Sequence, residues 1–362
     1  MRIEKIRKFY RPITVSENGL LLYKNNKLFI LKQDEISFFC KIKLAGYRGA
    51  FSKTRLLTRI FHRYVFCGIT PKNSGFSFIC FNDGVYKVDY NTKSVSLSFS
   101  FECEGMHRPL AFFDIKDVPS FEDCIVFGDY SYNKNRNEIS IYKYSFDKWE
   151  KALTFPPGTV RHIHSIIPDK YKDRVLILTG DYGDECAIWS ATNDFKKLKC
   201  ILKGEQKYRF CCARAYESGV ILVTDSPFDE NKVYRLTEDG GVFLTELYSI
   251  KGPTVFFTYH GDNIVFATDV ENDEKNLNPF QEFLINKKGD GVLDNFSHVY
   301  IFKKDGSLKE LVSFEKDRLP MRIFGFGTVH FPEGENGNVL YMYPMAVKRY
   351  DQWLVRIDLS GT

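Results

Sequence analysis

The sequence predicts an all-β chain folded as a seven-bladed β-propeller, with six blades as the runner-up. Three observations carry this expectation. Apolar, strand-like runs that end in an acidic residue recur along the 362 residues, as Cys124 to Asp129, Val175 to Asp181, Val220 to Asp225 and Ile264 to Asp269. Their spacing of about 44 to 52 residues suits four short strands and their turns. The 33 Phe and 21 Tyr favour strands and supply a large core. An arginine also stands at or near the start of the first strand in six of seven copies.

The blades follow in order, each with strands A to D. The first runs from about Arg11 to Leu44, and the second, loosely marked, from Thr54 to Phe101. The third has Leu110 to Ile115, Ile125 to Gly128, Ile139 to Tyr144 and Trp149 to Phe155. In the fourth, Arg161 to Ile167, Val175 to Thr179, Ala187 to Ser190 and Leu198 to Leu202 are separated by Pro168-Asp169, Gly180-Asp181 and Asn193-Asp194. The fifth has Tyr208 to Ala215, Val220 to Thr224, Val233 to Leu236 and Phe243 to Leu247. The sixth has Val255 to Tyr259, Ile264 to Thr268, His298 to Phe302 and Leu308 to Phe314, with a long insertion around Asn276 to Phe280. The last repeat offers Met321 to Val329, Val339 to Tyr343 and Trp353 to Leu359, and lacks a D strand. The N-terminal Ile3 to Phe9 can fill that gap, pairing with the C-terminal blade and removing an exposed edge. Residues 1–362 are expected to form one domain.

Composition narrows the function classes. The net charge of +5 is mild and no Lys/Arg block is present, which argues against nucleic acid. No apolar run reaches the length of a membrane span. Residues Met1 to Lys8 contain no apolar h-region and read as no signal peptide. Nine scattered cysteines without a CxxC pair fit buried thiols in a reducing cytoplasm, with a secreted form whose leader has been removed as the alternative.

Gly-His…Trp-Asp and double-glycine signatures are absent. The turns between third and fourth strands read Ser145-Phe146-Asp147-Lys148-Trp149 and Trp189-Ser190-Ala191-Thr192-Asn193-Asp194, with fainter Asp239-Gly240-Gly241 and Asp305-Gly306. These are degenerate forms of Ser-x-Asp-x-Gly-x-x-Trp, so the chain resembles the sialidase-like group with BNR or Asp-box repeats. The resemblance implies a propeller, a carbohydrate-active enzyme, and an arginine cluster gripping a substrate carboxylate. The group's catalytic Tyr–Glu pair cannot be placed residue by residue on this sequence.

Two residue sets are expected at one face of the ring. Arg11, Arg108, Arg161, Arg209 and Arg322, with Arg55 or Arg59, mark first-strand starts. Asp129, Asp181, Asp225 and Asp269 mark second-strand ends. Either each arginine pairs with an Asp of its own or a neighbouring blade, or some are left to hold an anion in bidentate fashion. Arg108, Arg161, Arg209, Arg322, Asp129, Asp269 and Tyr182 are the candidate substrate-binding residues. Aromatic residues such as Tyr130, Tyr132 and Phe228 would add sugar-stacking faces. Blade four is densest: His162 and His164 share a strand face, and Asp181, Asp184 and Glu185 follow. Asp181, Glu185, Asp225, His162 and His164 are the candidate catalytic residues.

The leading expectation is a glycoside hydrolase acting on an acidic oligosaccharide or polysaccharide, without a cofactor. Metal-assisted lysis of uronic-acid glycans is the second, because His162-x-His164 with a nearby carboxylate could hold a metal although spacing assures no third ligand. A non-catalytic propeller binding a glycan or protein is the third.

Overall fold

The computed structural model describes residues 2–42, 67–81, 83–101, 108–131, 133–272, 287–335 and 337–361. Seven four-stranded antiparallel sheets make an all-β, seven-bladed β-propeller. Strand β1 (Glu4–Lys8) comes first. Blade one is β2 (Arg11–Ser16), β3 (Gly19–Lys24), β4 (Lys27–Lys32) and β5 (Glu35–Lys41). Blade two is β6 (Gly68–Ile69), β7 (Phe76–Phe81), β8 (Gly84–Asp89) and β9 (Ser94–Ser100). Blade three is β10 (Phe112–Ile115), β11 (Cys124–Gly128), β12 (Ile139–Ser145) and β13 (Lys148–Phe155). Blade four is β14 (His162–Asp169), β15 (Arg174–Gly180), β16 (Ala187–Thr192) and β17 (Lys197–Lys203). Blade five is β18 (Phe210–Tyr216), β19 (Gly219–Thr224), β20 (Asn231–Glu238) and β21 (Val242–Ile250). Blade six is β22 (Thr254–His260), β23 (Asn263–Thr268), β24 (Phe296–Phe302) and β25 (Leu308–Glu315). Blade seven is β26 (Thr328–His330), β27 (Val339–Met345) and β28 (Trp353–Asp358), with β1 as its fourth strand. The chain forms two compact units. One is Met1–Phe81, Val85–Leu97 and Lys251–Thr362; the other is Asn82–Gly84 and Ser98–Ile250.

Burial follows strand position within each sheet. β11 and β15 are buried along their whole length, as expected of continuous Val/Ile/Leu/Phe runs packed on both faces. Each fully buried Leu, Ile or Phe there contributes about 1.5–3 kcal/mol. The fourth strands β13, β17 and β21 are mostly exposed or half-buried and carry Lys and Glu. Charged edges of this kind discourage pairing with another chain. Tight two-residue hairpins link several neighbours. Asn25-Asn26, Gln33-Asp34 and Phe146-Asp147 all have positive φ at both positions, the geometry that matches strand twist.

Within the first unit, β1 completes blade seven as expected. It pairs antiparallel with β28, Glu4 opposite Arg356 and Lys8 opposite Trp353. Arg356 fixes the pairing with two 2.9 Å bonds to the Glu4 carboxylate and a further contact to Asp34. The segment Met321 to Val329 differs from the expected strand. Met321–Phe324 forms a single helical turn, α1, behind Pro320. It stops at Gly325, whose φ of 87° favours glycine, and only Thr328–His330 pairs as a strand. The expected insertion at Asn276 to Phe280, and Thr54, lie outside the described residues.

One backbone device recurs in the first strands. In β14 the register passes from Ile163 opposite Thr179 to Ser165 opposite Leu178, leaving His164 as an extra residue. β18 does the same at Cys211, β2 at Ile13 and β22 at Val255. A β-bulge of this type bends a strand and re-aims the inserted side chain.

Candidate functional site

The site builds up from blades three to five of the second unit. His162 and His164 are both buried, and their Nε2 atoms approach to 3.0 Å. Each Nδ1 faces a backbone carbonyl: His162 that of Ser131 at 3.3 Å, His164 that of Phe210 at 3.1 Å. A carbonyl only accepts, so each Nδ1 carries its proton and a neutral ring leaves Nε2 bare. Burial pushes the His162 imidazole below its ordinary value, which keeps that ring neutral, against the opposing pull of Asp181.

Asp181 closes the triangle. Its Oδ1 lies 3.2 Å from His162 Nε2 and 3.3 Å from His164 Nε2. Oδ2 accepts from Arg161 Nη1 at 2.7 Å, and Arg209 Nη2 stands 3.5 Å from Oδ1. Burial pushes the Asp181 carboxyl up. Protons on the facing histidine Nε2 atoms, where present, and the Arg209 charge outweigh that and hold it below the usual carboxylate range. Gly180 makes room: a Cβ there would come within 3.0 Å of His164 Cε1 and 3.3 Å of Arg209 Cγ.

Asp225 and Cys211 lie alongside. Asp225 Oδ2 accepts from Arg209 Nη2 at 3.3 Å and from Cys211 Sγ at 3.2 Å. Its Oδ1 is buried with no hydrogen-bond partner. Burial pushes the Asp225 carboxyl up, against the lowering effect of Arg209. The Cys211 thiol is also driven well up by burial and then by Asp225. Tyr130 packs over His162 with ring centroids 4.2 Å apart.

The two arginines are not equivalent, although both read from sequence as first-strand starts. Counted from the bulge, Arg209 precedes Cys211 by two residues and Arg161 precedes His164 by three. Gly180 separates Thr179 from Asp181, whereas Asp225 follows Thr224 directly. His162 thus takes in blade four the place Arg209 holds in blade five. Both arginines meet carboxylates, as the ion-pairing expectation required.

The remaining candidates scatter. Glu185, in a short 3-10 turn at Gly183–Glu185, binds Arg136 through Oε1. Tyr182 is partly exposed, 5.9 Å from the Arg161 guanidinium and 6.2 Å from the Phe228 ring centroid. Asp129 is buried and accepts from the Ser140 amide at 2.8 Å. Asp269 is buried, its amide bonded to the Pro253 carbonyl. Arg108 lies four residues before β10, and its carbonyl accepts from the Tyr130 amide. Arg322 falls in α1, its side chain outside the described residues, as are Arg55, Arg59 and Tyr132. Arg11 belongs to the first unit. There its Nη2 donates to His330 Nδ1 at 3.1 Å, and its Nη1 lies 3.3 Å from Met345 Sδ. In the sequence Cys211 is only one of several scattered thiols; the bulge that turns it toward Asp225 leaves no mark in a run as uniformly apolar as Phe210-Cys211-Cys212-Ala213. The eight cysteines among the described residues are all free.

No protein-family model matches this chain, and no curated protein matches it either. Solved structures do. The chain is similar to an oligogalacturonate lyase from Vibrio parahaemolyticus at a TM-score of 0.53 and 12% identity, over 99% of this chain and 91% of that one. It is also similar to a chain of a mitotic checkpoint complex at a TM-score of 0.50 and 10% identity, over 99% and 95%. Identities this low show a shared fold alone.

Proposed function

We propose that this propeller holds a divalent transition metal between His162, His164 and Asp181, and that it acts there on an acidic glycan, with uronic-acid units as the leading substrate class. The observation that carries this is the convergence of three Lewis-basic atoms on one point. Separations of 3.0, 3.2 and 3.3 Å put that point about 1.8 Å from each atom. Donor atoms set this close together would suit an ion with metal–imidazole bonds of about 2.0–2.1 Å. With both rings neutral, two bare imidazole nitrogens and a carboxylate oxygen repel, and a bound cation would resolve the contact. The carbonyls of Ser131 and Phe210 orient the rings in the manner of outer-shell partners at metal sites.

Charge supports an anionic substrate. Arg161 and Arg209 face Asp181 and Asp225, so an added dication leaves positive charge that a carboxylate answers. Tyr182 and Phe228 provide rings beside Arg161 against which a sugar face can pack. A bound metal would act as a Lewis acid on the substrate carboxylate. One propeller of similar fold is named an oligogalacturonate lyase, so this architecture hosts chemistry on oligogalacturonate.

Hydrolysis by paired carboxylates is the second reading, and one observation favours it. Asp181 is held down and Asp225 is pushed up, the split that separates a base or nucleophile from an acid. The Asp-box-like turns, and the sialidase-like likeness they carry, belong to this reading too.

Elemental analysis of the purified protein, followed by a panel of acidic oligosaccharides, separates these readings. Under the metal reading, about one equivalent of transition metal is expected, with loss in His164→Ala exceeding the roughly 10–100-fold typical of a missing outer-shell partner. Ultraviolet absorbance from an unsaturated uronate would mark lysis. New reducing ends without that absorbance would mark hydrolysis. Absence of bound metal after incubation with zinc, cobalt or manganese would overturn the metal reading.

A further inference from the structure

Cys211 sits at the bulge of β18, the same place in blade five that His164 holds in blade four. Bulges recur at Ile13 and Val255, so the device itself requires no polar residue. In blades four and five both inserted positions carry metal-binding side chains, and both are buried. The donor atoms of His164, Cys211 and Asp225 lie within 4.8 Å of one another. Asp225 adds an independent sign, because its Oδ1 is buried and unpartnered. An orphaned carboxylate oxygen is costly unless something unrecorded answers it.

We infer that Cys211 and Asp225 extend the donor set begun by His162, His164 and Asp181, so that the centre is thiolate-ligated and selects a borderline-soft ion of the zinc or cobalt class over calcium or magnesium. This rests on the metal reading above. The chemistry is a ligand exchange without electron transfer. The Cys211 S–H bond breaks, a metal–sulfur bond forms, and the proton is released to solvent. A thiolate is the donor that distinguishes this site from an all-oxygen one, since hard cations prefer carboxylate, carbonyl and water. Asp225 holds the sulfur in place through its 3.2 Å contact, and its unpartnered Oδ1 is a further oxygen a cation could take.

Cys212 is an internal control. It is the next residue, equally buried, and stands opposite Val223 in the regular ladder. It belongs to neither group of close metal-binding donor atoms among the described residues.

The test uses the whole protein loaded with cobalt(II). An intense near-ultraviolet sulfur-to-cobalt band is expected in the wild type. It should vanish in Cys211→Ser while the weaker visible cobalt bands persist, and it should be unchanged in Cys212→Ser. Zinc affinity should fall by at least about tenfold in Cys211→Ser. Cys211→Ala, which adds no hydroxyl, should behave alike and guards against a local effect of serine. Cobalt binding with visible bands but no sulfur band would overturn this inference and leave the metal reading standing. Failure to bind cobalt or zinc while manganese binds would overturn this inference alone, and failure to bind any of the three would overturn both.

Discussion

Two histidine clusters, one in each compact unit, show how neighbours decide what a buried imidazole can do. His330, in the first unit, accepts from Arg11 through Nδ1 and meets the Thr328 hydroxyl through Nε2 at 3.3 Å. Phe256 packs on its face at 3.9 Å. Both nitrogens are occupied by partners that need no cation. In the second unit, His162 and His164 spend Nδ1 on carbonyls and turn Nε2 toward each other and toward a carboxylate. The strands differ as well: His330 ends the three-residue β26, which pairs in regular register, whereas His162 and His164 open the eight-residue, bulged β14. The difference is that His330 meets an arginine within a packed core, whereas His162 and His164 meet a carboxylate, the arrangement on which the proposed metal site rests.

The strongest test of that contrast is Asp181→Asn. In the metal-free protein it removes the anion that Arg161 and Arg209 share inside a buried cluster. Breaking such a pair from one side costs about 3–5 kcal/mol, to be read from urea unfolding. A loss under about 1 kcal/mol would mean that the arginines find other partners easily. Next in size is Gly180→Ala. The new methyl presses on His164 and Arg209, so a destabilisation of about 1–3 kcal/mol and weaker metal binding are expected together. Unchanged affinity would show that His164 has more freedom than its contacts suggest.

The smallest effect concerns pH. Burial, with the Arg11 charge adding to it, pushes the His330 imidazole well below its ordinary value. Below about pH 6.5 the unfolded chain takes up a proton that the folded ring refuses. Stability from this residue is therefore constant above about pH 6.5 and falls on acidification, by at most about 1.4 kcal/mol per pH unit. His330→Gln should flatten that acid limb without changing metal content. An identical pH dependence in the variant would show that other groups set it.

Blade count, strand order and closure by the N-terminal strand were legible because each depends on periodic apolar runs and turn residues that survive in one sequence. The exception, Met321 to Val329, fails where Gly325 and Gly327 interrupt an apolar stretch that otherwise reads as a strand. Much of the site was legible as well, since His162, His164, Asp181, Asp225, Arg161 and Arg209 do come together. What could not be read is registration. A one-residue offset at Gly180 moves Arg161 out of line with Arg209, and the bulge at Cys211 lies within a run buried on both faces. Alternation carries no information there, so the sulfur's direction is set by pairing geometry alone.

The pairing of β1 with β28 has a mechanical side. The partners Glu4 and Arg356 are 352 positions apart in sequence yet adjacent in one ladder, and the strands run antiparallel. Tension applied between the two termini would load these backbone bonds one after another, as in a zipper, and not all at once. The joint that shuts the fold is thus weak against a steady pull, and the exposed Arg356–Glu4 pair adds only about 0–1 kcal/mol to it. Tags or tethers attached at opposite ends would emerge side by side and tug on the same seam.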